Sequence, residues 1–553
     1  MARRIRWQIL IAVLSSLLVT GLLGQFALSN TAIANPLAGG TLVEAVVGTP
    51  DQTLALFNDP LADPVGRDIS ALVFDGLTRV GADGLIDLAL AEEIQVDPSG
   101  EVYTYNLRRD VRWHDGEPFT AADVVFTLRT IQDVQFDGDP TLVATWQNVL
   151  VDQVDAYTVR FTLRNPDAGF SARTTVPILP FHLLGNIPLD ELATSDFVRK
   201  PVGTGPFELT EFTAEAARFQ ANPDYFAGRP FLDEIELRFI ASQEAALTLL
   251  QRGEVQALGG DRALQAAGLS RNLRRADVPL DQYDILTFNL REPPLADQEF
   301  RQALARSLDR QLLIDSALEG YAALLDSPIL PGWWAYEPSA TWYAYEPQVA
   351  LTTLADLGYQ ADASGLLSQA GQPLILELIT DNNPLRMAAA QEIARQWNEL
   401  GIGIELRSLS SSELIERLRN RDFTLALHGW VNLGADPNVY NLWHSSRAET
   451  GPNYAGLQNE AIDNVLSSAR SQTELAARSA DYAEFQRRWI ELAPAIPLYQ
   501  PLYTFAYDEQ LGGLGFADPQ SAASLLMLGP ADRYRSVERW FVNSAREVPG
   551  SLR

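Results

Sequence analysis

The chain has 553 residues, no cysteine and a formal charge of −29. Its length suggests roughly three or four domain-sized units, and its 46% apolar content excludes disorder as the dominant state. Without cysteine there are no disulfides, iron–sulfur clusters, thiol nucleophiles or Cys-based zinc sites. The acidic excess argues against a nucleic-acid partner, whose phosphates demand cations. The sole lysine, Lys200, precedes Pro201 rather than Ser or Thr, so no Walker phosphate loop exists.

Arg3, Arg4 and Arg6 precede a mostly apolar run from Ile9 to Leu28, followed by Ala32-Ile33-Ala34. This is the layout of a secretory signal, cut after Ala34 or retained as an N-terminal anchor. Either outcome puts the body outside the cytoplasm, and no later run is long enough for a second span.

Mixed α/β signals follow. Thr41–Val47, Val102–Leu107 and Val159–Leu163 read as strands, and Thr120-Ala-Ala-Asp123 as a capping box opening a helix. A helix is expected from Ile69 to Leu77. Phe300, Leu304, Leu308 and Leu312 form an i, i+4 stripe that predicts one helix over 297–316. A further helix, Arg386–Leu400, lies between strands Ile375–Thr380 and Ile404–Ser408, a unit that favours a parallel sheet. Phe423–Leu427 reads as a strand. Proline-rich joints at 201–206, 293–294, 328–338 and 494–501 mark candidate boundaries or hinges.

Catalytic constellations are scarce. The four histidines, His114, His182, His428 and His444, form no H-E-x-x-H, and there is no G-x-S-x-G elbow. Trp113-His114-Asp115-Gly116 reads as a tight turn. His428 and His444 flank Gly429-Trp430 and suit either packing or contact with a bound metal chelate. Carboxylate pairs for glycoside chemistry cannot be told from solvated surface.

The segment Tyr103–Leu128 (YTYNLRRDVRWHDGEPFTAADVVFTL) resembles the signature of family 5 extracellular solute-binding proteins, the receptors of peptide and nickel ABC importers. Leu72–Val80 (LVFDGLTRV), Val202–Phe207 (VGTGPF), Asn222–Phe239, Phe288–Asp315, Asn453–Asp463 and Ala495–Tyr499 resemble further family segments, in the family's order. The resemblance implies a two-lobe α/β fold of the periplasmic-binding-protein type (type II, large variant). Residues 41–278 would form the first lobe, with an extra subdomain over about 80–200. Residues 279–499 would form the second lobe, and 500–545 would return to the first. It further implies a hinged receptor that hands a peptide or peptide-like solute to a membrane permease. Such a receptor is monomeric, extracytoplasmic, and without catalytic residues, cofactor or resident metal. A secreted hydrolase of peptides or glycans, and a peptide-binding sensor or chaperone-like relative, are the alternatives.

Leu427–Tyr440 (LHGWVNLGADPNVY) resembles the family's G-W-x-x-D-x-x-D-P loop. Trp430 matches the tryptophan that lines the family's cavity, though a Trp after a short strand also suits a core. Asp436 matches the D-P turn. Leu433 stands where peptide receptors carry the acid that pairs with the α-ammonium. An uncovered ammonium in a closed cavity costs several kcal/mol, so either Asp436 or another acid substitutes, or the ligand is another small polar solute such as a modified peptide, a metal chelate or an oligosaccharide. Arg386 falls near the family's carboxylate-binding arginine, at a helix start where anions are favoured, or else is solvated. Arg67 faces the cleft in this family, or makes a surface salt bridge. Trp333, beside Trp334 on a proline-rich loop, either stacks on a ligand at the pocket mouth or anchors the loop in the core.

Overall fold

Apolar residues gather in two large cores drawn from different stretches of the chain. The first takes residues from Leu42 to Val278 and again from Tyr503 to Trp540; the second runs from Tyr283 to Tyr499. The computed structural model describes residues 33–547, except 55, 58–62, 82–83, 261, 432 and 518–526. The leader expected at 1–34 thus lies outside the described residues apart from 33 and 34. The backbone of these two opens a strand, Ile33–Leu37, that pairs antiparallel with Asn543–Glu547. Among the described residues no helix is long and apolar enough to cross a membrane.

The fold is mixed α/β. A twelve-stranded sheet joins the two cores through one long strand, Ala495–Asp508. On its second-core side follow Gln282–Phe288, Leu425–Val431, Ile375–Asp381 and Gly403–Leu409. On its first-core side follow Ala257–Gly260, Thr41–Val47, Glu234–Ile240, Ala216–Ala221 and Phe207–Phe212. The long strand pairs Asp284 with Tyr499 at one end and Ala257 with Tyr507 at the other. The chain therefore crosses between the cores twice, at Pro279–Gln282 and inside the long strand near Pro501. A separate four-stranded antiparallel sheet, Ala91–Val96, Val102–Leu107, Thr158–Thr162 and Leu150–Asp155, packs on the helix Ala121–Gln132. Its alternating VYTYNL strand buries Tyr103, Tyr105 and Leu107 on one face.

Three local readings need correction. The helix expected at 69–77 is Pro64–Val73: Asp63 Oδ1 accepts from the Gly66 N–H at 2.8 Å and Pro64 supplies a preset first turn. Arg67 consequently lies inside that helix rather than before it. The stripe at 297–316 belongs to two helices, Gln298–Arg306 and Arg310–Ala317. Asp309 breaks the run by capping the Leu312 N–H at 2.8 Å, and Leu312 is exposed while Phe300, Leu304 and Leu308 are buried. The strand read at 423–427 runs from Leu425 to Val431, so Trp430 lies within it. The strand–helix–strand unit is present, Ile375–Asp381 running parallel to Gly403–Leu409 around the helix Pro384–Glu399.

The V-G-T-G-P-F segment has a steric reason for its glycines. A Cβ on Gly203 would lie 1.8 Å from the Val73 carbonyl oxygen, and Gly205 N–H donates to that same oxygen at 2.8 Å. His114 clamps the segment: Nδ1 accepts from the Gly203 N–H at 3.2 Å, which leaves Nε2–H to donate to the Gly205 carbonyl at 3.0 Å. Burial holds this imidazole below its ordinary pKa, consistent with a neutral ring in a structural role.

Candidate ligand cavity between the two cores

A cavity of about 530 Å³ opens where the cores meet, a size suited to small solutes. One wall is the helix Pro64–Val73 and the turn after it, contributing Arg67, Phe74, Asp75 and Arg79. The crossing residues Leu280, Asp281 and Gln282 form another part, with Val431 and Gly434 from the second-core side of the chain. The returning C-terminal segment adds Leu528, Asp532, Tyr534, Arg535 and Glu538. The cavity thus combines apolar surface with guanidinium and carboxyl groups.

These groups are held in place by the fold. Asp139 caps the helix Pro140–Trp146 through the Thr141 N–H at 2.8 Å and faces the Arg67 guanidinium at 3.7 Å. Asp75 accepts from the Tyr225 hydroxyl at 3.1 Å and the Thr204 hydroxyl at 3.2 Å. Burial outweighs those bonds and pushes Asp75 up to about 6. Asp532 pairs with Arg535 at 2.5 Å and accepts from the Leu528 N–H at 2.7 Å. Asp281 is buried, and its desolvation pushes it up to about 8, against a bond from the Gly434 N–H at 2.6 Å. Behind the C-terminal segment, Arg533 joins Glu44 at 2.8 Å and Asp68 at 2.5 Å in a fully buried cluster that fixes the segment to the first core.

Of the residues singled out in the sequence, Arg67 lines this cavity; the others lie elsewhere. Trp430 is half-buried, stacked on Tyr454 with ring centroids 5.3 Å apart and set edge-on to His428. Arg386 sits between two buried acids, with Nε 2.6 Å from Asp284 and Nη1 2.5 Å from Asp381. A carboxylate approaching it would meet those two charges first. Asp436 is engaged by Arg478 at 2.8 Å and lies against Gly169 of the first core. Leu433 is half-buried against the second core. Trp333 is 5% exposed and part of that core, while Trp334 packs edge-on to Tyr482 under the Arg478 guanidinium.

His428 is buried beside Arg386, and burial first, then that charge, holds it down to about 3. It accepts or donates to Thr287 at 2.9 Å and is a neutral core group. Among the described residues no cluster of three or more His, Asp or Glu is placed to hold a metal. Sequence reasoning missed Asp75, Arg79, Asp281, Asp532 and Arg535. Asp75 and Arg79 do lie inside the LVFDGLTRV segment, but Asp281 follows a proline-bounded strand with no pattern to mark it.

Residues 86–451 match the bacterial extracellular solute-binding proteins, family 5 (middle region). The chain is 29% identical over 490 residues to the oligopeptide-binding protein AppA of Bacillus subtilis, covering 86% of this chain and 89% of that one. The structure of that AppA with a nonapeptide superposes with a TM-score of 0.65 at 28% identity, over 92% of this chain and all (100%) of the other. NikZ of Campylobacter jejuni, solved with Ni(L-His), matches in fold with a TM-score of 0.65 at 24% identity, over 91% and 99% of the two chains. The family comprises non-enzymatic binding proteins of ABC transporters that act outside the cytoplasm. The chain belongs to the family 5 extracellular solute-binding proteins, the peptide and nickel receptor family, and is a solute-binding receptor of an ABC importer.

Proposed function

We propose that this receptor captures a short peptide or peptide-like solute in the cavity between its cores and delivers it, unaltered, to the importer. The observation that carries this reading is the cavity's lining of both charge signs on apolar walls, which suits a zwitterion of small size. Peptide complexes of relatives add support: AppA was solved with a nonapeptide. In this reading residues 41–278 with 500–545 act as one lobe and 279–499 as the other. They turn about the two crossings, and the four-stranded sheet region of about 80–200 rides on the first lobe. Ligand contacts then shift the population between open and closed forms.

Arg67 supplies positive charge to the ligand in this scheme, whereas Arg386, Asp436 and Trp333 hold the second lobe together. Trp430 with Tyr454 forms a rigid platform on the strand that brings Val431 to the cavity, rather than part of the cavity wall. The N-terminal basic and apolar segment serves export or anchoring, and the receptor works as a monomer. The test is mass spectrometry of solutes released from the purified protein, followed by thermal melting with the solute identified. A peptide-like mass that raises Tm and is recovered intact supports the reading; a released solute of another class, or turnover of the bound one, overturns it.

A further inference from the structure

The crossing residue Asp281 has a carboxyl whose partners do not account for it. It is 1% exposed. Its N–H donates to the Met527 carbonyl at 2.7 Å, and its Oδ2 accepts from the Gly434 N–H at 2.6 Å. Oδ1 has no hydrogen-bond partner among the described residues. Among the described residues the charged group that acts on it is an acid, Asp532, which pairs with Arg535. The remaining acids of this cavity are engaged, Asp139 by its cap and Arg67, Asp75 by two hydroxyls, and Glu538 by Arg539 at 3.6 Å.

A buried carboxylate without a counter-charge is costly. The fold avoids that cost by keeping the proton, and burial, with Asp532 beside it, pushes Asp281 up to about 8. The location gives the acid a use. Leu433 and Gly434 beside it belong to the second core's side, while Met527 and Asp532 belong to the segment that returns to the first core. Asp281 therefore sits at the seam of the cavity, next to the Leu433 position that lacks an acid.

We propose that Asp281 is the anchor for a protonated amine on the bound solute, taking the place of the carboxylate absent at Leu433. This rests on reading the cavity as the solute site. Binding exchanges one cation for another: the Asp281 carboxylic acid gives up its proton to solvent, and the ammonium keeps its own three and donates one to the freed carboxylate. Arg67 and Arg79 remain in the same cavity for the anionic end of the solute.

The titratable and charged groups around Asp281 are Tyr283 on the strand that follows it, Asp532 and Arg535 on the C-terminal segment, and Asp75, Arg67, Arg79, Asp139 and Glu538 around the cavity. Of these, Asp75 titrates in the same window, so variants are needed to separate the two.

The experiment is calorimetric titration of trialanine and N-acetyl-trialanine at pH 6.5, in buffers of different ionisation enthalpy, on the wild type and on Asp281→Asn. Trialanine is expected to bind with close to one proton released, and affinity to rise about tenfold per unit between pH 5.5 and 7.5. The acetylated peptide is expected to bind at least about tenfold more weakly. Asp281→Asn matches the protonated acid in shape; it is expected to keep its Tm, lose the proton release and bind both peptides alike. Asp75→Asn is expected to leave the release in place. Equal affinity for the two peptides in the wild type, or unchanged proton release in Asp281→Asn, would overturn the anchor while leaving the peptide reading intact. Binding of neither peptide to the wild type would overturn both. The proton count on the wild type stands even if the variant fails to fold.

Discussion

Arg67 and Arg386 carry the same group and were both candidate ligand-binding residues, yet their surroundings differ. Arg386 neutralises Asp284 and Asp381, which are both buried. Arg386→Ala would leave two carboxylates unpaired and is expected to cost about 3–5 kcal/mol in urea unfolding at pH 7. Arg67 is 37% exposed and its partner Asp139 keeps a cap without it. Arg67→Ala is therefore expected to change stability by less than about 1 kcal/mol while weakening capture of a carboxylate-bearing ligand about tenfold. Titration by calorimetry separates the two cases, and a stability loss in Arg67→Ala like that of Arg386→Ala would contradict the distinction. Asp75 adds a pH signature. Its pKa is raised to about 6 in the fold, so its favourable contribution is complete below the unfolded value near 3.8 and is lost as pH rises through 6. Between pH 4 and 7 the wild type is expected to lose about 1–3 kcal/mol relative to Asp75→Asn. Parallel melting curves of the two proteins across that range would show that Asp75 is not the group responsible.

At the level of elements, the signals that read correctly were local ones. The alternation of VYTYNL and the strand–helix–strand spacing around residues 375–409 specify their own structure within a few residues. The start of the helix at Pro64 was legible too, in the Asp63-Pro64 pair, but the apolar run from Ile69 onward drew the boundary to the wrong turn. What the sequence hides are side chains whose meaning depends on distant partners. Arg386 meets Asp284 from a strand 102 residues away, and Asp436 meets Arg478; neither pairing leaves a trace in spacing. The glycines of V-G-T-G-P-F are a middle case: the motif was visible, its cause was not. Gly203→Ala would drive a methyl into the Val73 carbonyl and is expected to cost about 3 kcal/mol or more. A Tm within error of the wild type would refute the close approach.

Across the whole molecule, the two sides meet through the Arg262–Glu319 ion pair and through several close backbone approaches. Ala168 N–H donates to the Arg470 carbonyl at 2.9 Å, and a Cβ on Gly169 would lie 2.6 Å from the Asp436 carboxyl carbon. A Cβ on Gly84 would likewise lie 2.7 Å from the Gly332 carbonyl oxygen. Gly169→Val is thus a wedge at the seam. It is expected to raise the radius of gyration in solution scattering and to lower ligand affinity in proportion to the closed fraction lost, about tenfold if one molecule in ten still closes. An unchanged scattering curve with unchanged affinity would show that the seam at Gly169 does not control closure.

The long strand Ala495–Asp508 belongs to both cores at once. Neither side can melt without stripping hydrogen bonds from a strand that the other side still holds, and Arg533 ties the segment that follows into the first core. Heating is therefore expected to give a single calorimetric peak, with the measured enthalpy equal to the van't Hoff value, despite the two separate cores. Two resolved endotherms would mean that the shared ribbon transmits motion but not cooperativity.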